Sequence, residues 1–165
     1  MRLPSSDDQL KLIEDAAHVL SELPNLVERY AERVLVVGDI HGSPLATRYL
    51  GGLFDEHSFD LVVFLGDYVD RGSAQIEAVD LVLTRLVEHP HETVVLRGNH
   101  ELPHLNRIHG FFRAVVSTYS EDMWHRFNQC FALLSYCLVL NGEGMLVHGG
   151  ISSGIVHLSD LSAYP

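Results

Sequence analysis

The sequence predicts an α/β fold, a mainly parallel sheet layered with helices, in one domain spanning residues 1–165. Three observations carry that expectation. Short β-branched runs recur as VLVV, LVVFL and TVVL, too brief for helices and too apolar for exposed strands. The stretches between them space their apolar residues at three and four, as amphipathic helices do. Each apolar run also ends at a turn containing glycine, where a strand gives way to a loop.

The elements follow in order. Residues 5–29 read as a helix with Leu10, Ile13, Ala16, Ala17 and Leu20 on one face, capped by Ser6 and followed by acidic residues suited to a helix N-terminus. Residues 34–37 form the first strand, residues 45–54 a helix, and residues 61–65 a second, buried strand. Residues 76–87 return to helical spacing, with Ile76, Val79, Leu83, Leu86 and Val87 inward, until His89-Pro90 stops them. Residues 93–96 are the third strand. Trp124 and Phe127, at helical spacing, are expected in the core. Leu138-Val139-Leu140 and Met145-Leu146-Val147 flank Asn141-Gly142-Glu143-Gly144, a strong hairpin signal, so the last third turns antiparallel.

An apolar fraction of 47% with 20% charged residues is globular composition. The formal net charge of −11 disfavours nucleic acid and anionic membrane surfaces as partners. No apolar run approaches the roughly 18 residues of a membrane span, and the opening MRLPSSDDQL has no apolar signal core. Cys130 and Cys137 are the only cysteines and match no metal or redox motif, so two thiols in a reducing, cytoplasmic setting are expected.

The four strand ends read GDIHG (residues 38–42), GDYVDRG (66–72), GNHE (98–101) and HGG (148–150). In open α/β sheets, ligands gather at the carboxyl ends of the strands. There these segments offer Asp39, His41, Asp67, Asp70, Arg71, Asn99, His100 and His148. Any one of them is explained as well by a polar turn with a capping aspartate; four together, each after an apolar run, point to a shared site. Carboxylate, imidazole and amide without thiolate suit divalent ions such as Mn²⁺, Fe²⁺ or Zn²⁺. The set is large enough for two ions sharing one carboxylate, about 3.5–4 Å apart as in many phosphatases.

In this order, GDIHG, GDYVDRG, LRGNHE and LVHGG resemble the phosphoprotein phosphatases, the serine/threonine phosphatases of the metallophosphoesterase superfamily. The segment Leu105-Asn106-Arg107-Ile108-His109-Gly110-Phe111 is similar to the stretch after GNHE in the protein phosphatase 1/2A-like branch. The resemblance implies a calcineurin-like, metallophosphoesterase-type β-sandwich flanked by helices. It implies two divalent ions, Mn²⁺ foremost with Fe or Zn as alternatives: Asp39 and His41 on one, Asn99 and His148 on the other, and Asp67 bridging. A hydroxide between the ions would attack phosphorus in line, while His100 protonates the leaving alkoxide and Asp70 orients His100. Arg71 and Asn99 would bind phosphate oxygens. Glu101 is expected to brace the loop rather than bind metal, and Tyr68 to wall the site or pack. Arg97 and Arg107 are expected in surface pairs, His104, His109 and His125 as structural residues, and His89 and His91 as solvated ones.

The resemblance runs from Val34 onward but matches only the earlier part of the family's domain, so the C-terminal part is expected to be missing. Family members carry a further histidine ligand and a further phosphate-binding arginine beyond HGG. Here no arginine follows Arg126, and His157, the one later histidine, lacks matching surroundings. Open sheet edges would favour self-association. The expected function is metal-dependent hydrolysis of phosphomonoesters, foremost phosphoserine and phosphothreonine in proteins. Two alternatives stay open: a dinucleoside polyphosphate or other small phosphoester as substrate, and a catalytically incomplete metal-binding fragment acting as an interaction module.

Overall fold

A computed structural model of the chain describes residues 3–162, so both extremities of the expected 1–165 domain lie outside the described residues. Helix α1 (Ser6–Ser21) starts where the Ser5 side chain accepts the Asp8 N–H at 3.2 Å, one residue before the expected cap. The helix expected to reach residue 29 stops at Ser21. Pro24 is the reason, because it lacks a donor N–H and disfavours helical backbone at Leu23. Leu26–Arg29 instead forms strand β1, which pairs in parallel with β5 (Cys137–Leu140).

Strands β2 (Val34–Val37), β3 (Leu61–Phe64) and β4 (Thr93–Val95) make a parallel sheet in that order, with Val36 opposite Val63 and Val63 opposite Val94. Helices α2 (Pro44–Glu56) and α3 (Gln75–Glu88) are the crossovers. Strand β3 is buried on both faces, which is why it reads as an unbroken apolar run. Val62 and Phe64 pack with Ile13, Leu20, Leu83 and Phe131 of the helices, while Leu61 and Val63 pack with Val27 and Leu138 of a second sheet.

That second sheet has the order β1-β5-β6, with β6 (Gly144–Val147) antiparallel to β5. At its hairpin, Asn141 (φ 56°) and Gly142 (φ 70°) are both left-handed, as Asn-Gly turns require. The Asn141 side chain is held at both ends: Oδ1 accepts the Ala31 N–H (2.9 Å) and Nδ2 donates to the Ala31 carbonyl (3.0 Å). The two sheets, with helices against the first, form the β-sandwich that the resemblance implies.

Helices α4 (Pro103–His109), α5 (Phe111–Thr118) and α6 (Glu121–Phe131) fill the stretch between β4 and β5, and Trp124 and Phe127 are buried there. A short α7 (Leu158–Ser162) brings Leu161 into a small cluster with Leu26 and Cys137. No helix among the described residues is long and apolar enough to cross a membrane.

One buried polar contact joins α1 to α3: Gln9 Nε2 donates to Asp80 Oδ1 at 2.8 Å. Burial, aided by nearby Glu77, pushes the Asp80 carboxyl from 3.8 up to about 6. The folded chain therefore holds this proton at pH values where the unfolded chain has released it. The stability this contributes is full below pH 4 and is lost as pH rises through about 6. Asp80→Asn keeps an acceptor for Gln9 without the charge. It is expected to be more stable than the wild type by about 1–2 kcal/mol at pH 7, with the difference vanishing near pH 4, as urea unfolding at the two pH values will measure.

Candidate functional site

The three parallel strands end at one edge of their sheet, and the loops there are bound to one another through the backbone. The Asp67 carbonyl accepts the N–H groups of Ile40 (3.0 Å) and His41 (2.9 Å), and the Tyr68 carbonyl accepts that of Gly42 (2.9 Å). In return, the His41 carbonyl accepts the Gly72 N–H (2.9 Å) and the Gly42 carbonyl that of Ala74 (2.8 Å). Glu101 ties in the loop after β4. Its Oε2 accepts the N–H groups of Asp67 (2.8 Å) and Gly98 (2.9 Å), and its Oε1 that of Tyr68 (2.9 Å). Full burial pushes this carboxyl up to about 7, and the three N–H groups pull it back toward the ionised form. Gly98 is required where the loops touch, because an added Cβ would strike the Asp67 nitrogen and carboxylate.

Among the described residues, the non-glycine positions with positive φ are His41 (47°), Asp67 (59°), Asp70 (70°), Arg71 (69°) and the hairpin's Asn141. A side chain in this region costs about 1 kcal/mol or more. All but Asn141 are expected site residues, so the strain is concentrated where the surrounding structure can hold it.

Two histidines face this strained centre in the same manner. His41 donates from Nδ1 to the Val69 carbonyl (2.8 Å), and its Nε2 points between Asp67 Oδ2 (3.4 Å) and Asp39 Oδ2 (3.7 Å). That Nε2 is buried and has no hydrogen-bond partner. His148 sets Nδ1 against the Leu65 carbonyl (3.1 Å) and Nε2 beside Asn99 Oδ1 (3.0 Å) and Asp67 Oδ1 (3.4 Å). The carbonyl at Nδ1 selects the tautomer in both rings and leaves an Nε2 lone pair facing oxygen atoms. Such opposed lone pairs repel unless a cation lies between them. On this ground the residues fit a divalent ion.

Two triples, His41–Asp67–His100 and Asp39–Asp67–His148, bring their donor atoms within 4.8 Å of one another. Asp67 belongs to both and turns one oxygen toward each of His41 and His148. These triples cut across the division implied by the resemblance, which groups Asp39 with His41. The cause is the crowding of every donor around one carboxylate, since Asp39 still lies beside His41.

His100 is oriented the opposite way. Its Nδ1 donates to Asp70 Oδ2 at 2.6 Å, and the buried Asp70 also accepts the Phe111 N–H at 2.9 Å. Its Nε2 lies 3.3 Å from Arg71 Nη2. A guanidinium only donates, so Nε2 is the acceptor here and Nδ1 carries the proton. The positive guanidinium also disfavours a metal ion at that nitrogen, which makes His100 the least suited member of its triple. A cation site with an imidazole–carboxylate pair and a guanidinium beside it can bind an oxyanion and pass a proton.

Every expected site residue is thus brought to one edge. His109, expected to be structural, lies beside the site: its ring is 5.3 Å from that of His100, and its carbonyl accepts the Arg71 N–H (3.3 Å). Tyr68 packs rather than lining the site, buried with its hydroxyl donating to the Leu96 carbonyl at 2.6 Å. Arg107 pairs with Glu121 (3.4 Å) over the Phe112 ring, and Arg97 reaches the Tyr136 hydroxyl (3.4 Å). His157 is exposed and outside both triples. Glu101→Gln would turn an NH₂ group toward a peptide N–H in place of an acceptor. It is expected to lose about 1–3 kcal/mol of stability and to bind Mn²⁺ more weakly, because the Asp67 backbone is no longer held. Thermal unfolding and calorimetric titration measure both, and an unchanged Mn²⁺ affinity would show the brace to be dispensable.

Known proteins are similar to this chain in sequence and in fold. Residues 32–165 match the family model described as calcineurin-like phosphoesterase. The chain is 33% identical over 162 residues to the serine/threonine-protein phosphatase SIT4 of Candida albicans, covering 95% of this chain and 51% of that protein. Its fold is similar to that of a protein serine/threonine phosphatase from Saccharomyces cerevisiae with similarity to human phosphatase PP5. There the TM-score is 0.90 at 27% identity, over 99% of this chain and 54% of the other. A cold-active protein-tyrosine phosphatase of a psychrophilic Shewanella species shares the fold at a TM-score of 0.65 and 18% identity, over 88% of this chain and 51% of the other. The chain spans about half the length of these relatives. By the family match over most of its length and the order of its strand-end motifs, the chain belongs to the calcineurin-like phosphoesterase family.

Proposed function

We propose that this chain carries the metal-binding and phosphate-binding part of a metal-dependent phosphomonoester hydrolase acting on phosphoserine and phosphothreonine in proteins. The observation that carries this reading is the Asp67 carboxylate between two histidines whose Nδ1 atoms rest on backbone carbonyls, with the His100–Asp70 pair and Arg71 alongside. Similarity to serine/threonine phosphatases supports the substrate class.

Asp39, His41 and Asp67 would hold one divalent ion, and Asp67, Asn99 and His148 a second. The mixed imidazole, carboxylate and amide donors suit Mn²⁺, with Fe or Zn as alternatives. When bound, the ions supply an activated water and neutralise charge on the phosphoryl oxygens. Arg71 leaves His100 and takes phosphate oxygens with its planar fork, and the Asn99 amide adds a donor. The released Nε2 of His100 takes up a proton and delivers it to the leaving alkoxide, while Asp70 holds the ring at Nδ1. One guanidinium thereby couples phosphate binding to acid catalysis.

The net charge of −11 supports protein rather than nucleic acid or anionic membrane as partner, and two free, buried cysteines suit a reducing, cytoplasmic setting. Strand β6 carries no charged side chain, which supports self-association through that edge.

The test is hydrolysis of a chromogenic aryl phosphate by this chain with and without Mn²⁺, beside Asp67→Asn. The expected result is metal-dependent turnover that falls about 100-fold or more in the variant, with a phosphoserine peptide cleaved faster than a dinucleoside tetraphosphate. No turnover by folded protein at saturating Mn²⁺ would sink the claim that this length of chain suffices for catalysis, and would favour the interaction-module alternative.

A further inference from the structure

We propose that Gln75, the first residue of α3, is a positioning residue that sets the strained Asp70–Arg71 turn and, through it, the His100–Asp70 pair and Arg71. The inference rests on the hydrolase reading above. Gln75 is a polar side chain buried to 8% exposure. Its Oε1 accepts the Asp70 N–H (2.9 Å), and its Nε2 donates to the Gly72 carbonyl (2.9 Å). The two bonds straddle Asp70 and Arg71, the one place among the described residues where two consecutive non-glycine residues are left-handed. Such backbone relaxes toward commoner angles unless something holds both ends.

The same side chain is wedged among three loops. A Cβ on Gly42 would lie 2.6 Å from Gln75 Cγ, and one on Gly110 would lie 3.1 Å from Gln75 Nε2. Gly42 closes the GDIHG loop, and Gly110 joins α4 to α5. That junction supplies the Phe111 N–H to Asp70 and the His109 carbonyl to the Arg71 N–H. Gln75 therefore locks the Asp70–Arg71 turn between the loop after β2 and the α4–α5 junction, and gives the Asp70 N–H its acceptor.

Helix capping does not explain the residue. The N-cap of α3 is Ala74, which offers no capping side chain, and Gln75 turns back into the preceding loop instead. It hydrogen-bonds none of the proposed metal-holding residues. Its loss should therefore spare metal binding and impair the step that depends on the Asp70–His100 distance. Proton delivery by His100 matters for an alkoxide leaving group and little for a nitrophenolate, which leaves without help. The signature of a positioning role is unequal loss between these two substrates.

The experiment uses Gln75→Met, close in volume and without polar atoms, with Mn²⁺ added. Turnover of a phosphoserine peptide is expected to fall about tenfold or more, and that of p-nitrophenyl phosphate by about threefold or less. The Asp70 amide should lose its protection against hydrogen exchange, read by NMR without reference to activity, while calorimetric Mn²⁺ affinity is retained. Gln75→Glu keeps an acceptor for the Asp70 N–H but sets a carboxylate oxygen against the Gly72 carbonyl. It is expected to keep the Asp70 amide protected while still losing more turnover on the phosphoserine peptide than on p-nitrophenyl phosphate; it also serves if the Met variant does not fold. Equal loss on both substrates, or an Asp70 amide as protected in the Met variant as in the wild type, overturns the proposal. A wild type inactive on both substrates shows instead that this length of chain does not suffice for catalysis, and the exchange measurement still decides whether Gln75 holds the turn.

Discussion

Between the ends of β3 and β4 a single buried carboxylate, that of Glu101, gathers three peptide N–H groups, and the arrangement of the site can be traced outward from it. Bonds from N–H groups to an ionised carboxylate are stronger than those to a neutral acceptor, so they can offset the desolvation that pushes this group upward. The Asp67 N–H is held by Glu101, and the Asp67 carbonyl in turn holds Ile40 and His41. The His41 carbonyl then anchors Gly72, just past Arg71. A displacement at Glu101 would thus pass to each loop in turn.

These loops can afford left-handed side-chain-bearing residues because the platform beneath them does not yield. Strand β3 is packed on both faces and hydrogen-bonded on both edges, so the position at which its chain emerges is set to within the tolerance of core packing. Sites carried on rigid elements hold their geometry more closely than sites carried on free loops. Here the loops acquire that rigidity from cross-bonding rather than from length or composition. His41 and His148 illustrate the result. Each is oriented by a carbonyl from the neighbourhood of another strand's end, Val69 for one and Leu65 for the other.

What could be read from the sequence follows from the same physics. Strands β3 and β4 were legible because burial on both faces demands an unbroken apolar run, and β2, half exposed at Val36, because its β-branched run stops at Gly38-Asp39. The strand-end residues were legible because their types and order form motifs. Strand β1 was not, since Leu26 and Val27 continue the apolar content of α1 and their partner Cys137–Leu140 lies far along the chain. The approach of His109 to His100 was not legible, because it depends on how α4 packs. The tautomers of His41 and His148 depend on carbonyls that no pattern names. Glu101 was legible as a brace from its position beside His100, whereas Gln75 makes backbone contacts that leave no local signature.

The hairpin between β5 and β6 bears on how the protein ages. Asparagine followed by glycine is the pair most prone to deamidation, in which the glycine nitrogen attacks the side-chain carbonyl carbon and ammonia leaves. In this fold the Asn141 amide is clamped at both ends by Ala31, so the side chain is not free to swing onto the Gly142 nitrogen. Conversion to aspartate would also set a carboxylate oxygen against the Ala31 carbonyl where Nδ2 now donates. The chemistry is therefore suppressed while the turn is closed and released when it opens. Slow loss of ammonia at Asn141 becomes a clock for how often this corner of the second sheet comes apart.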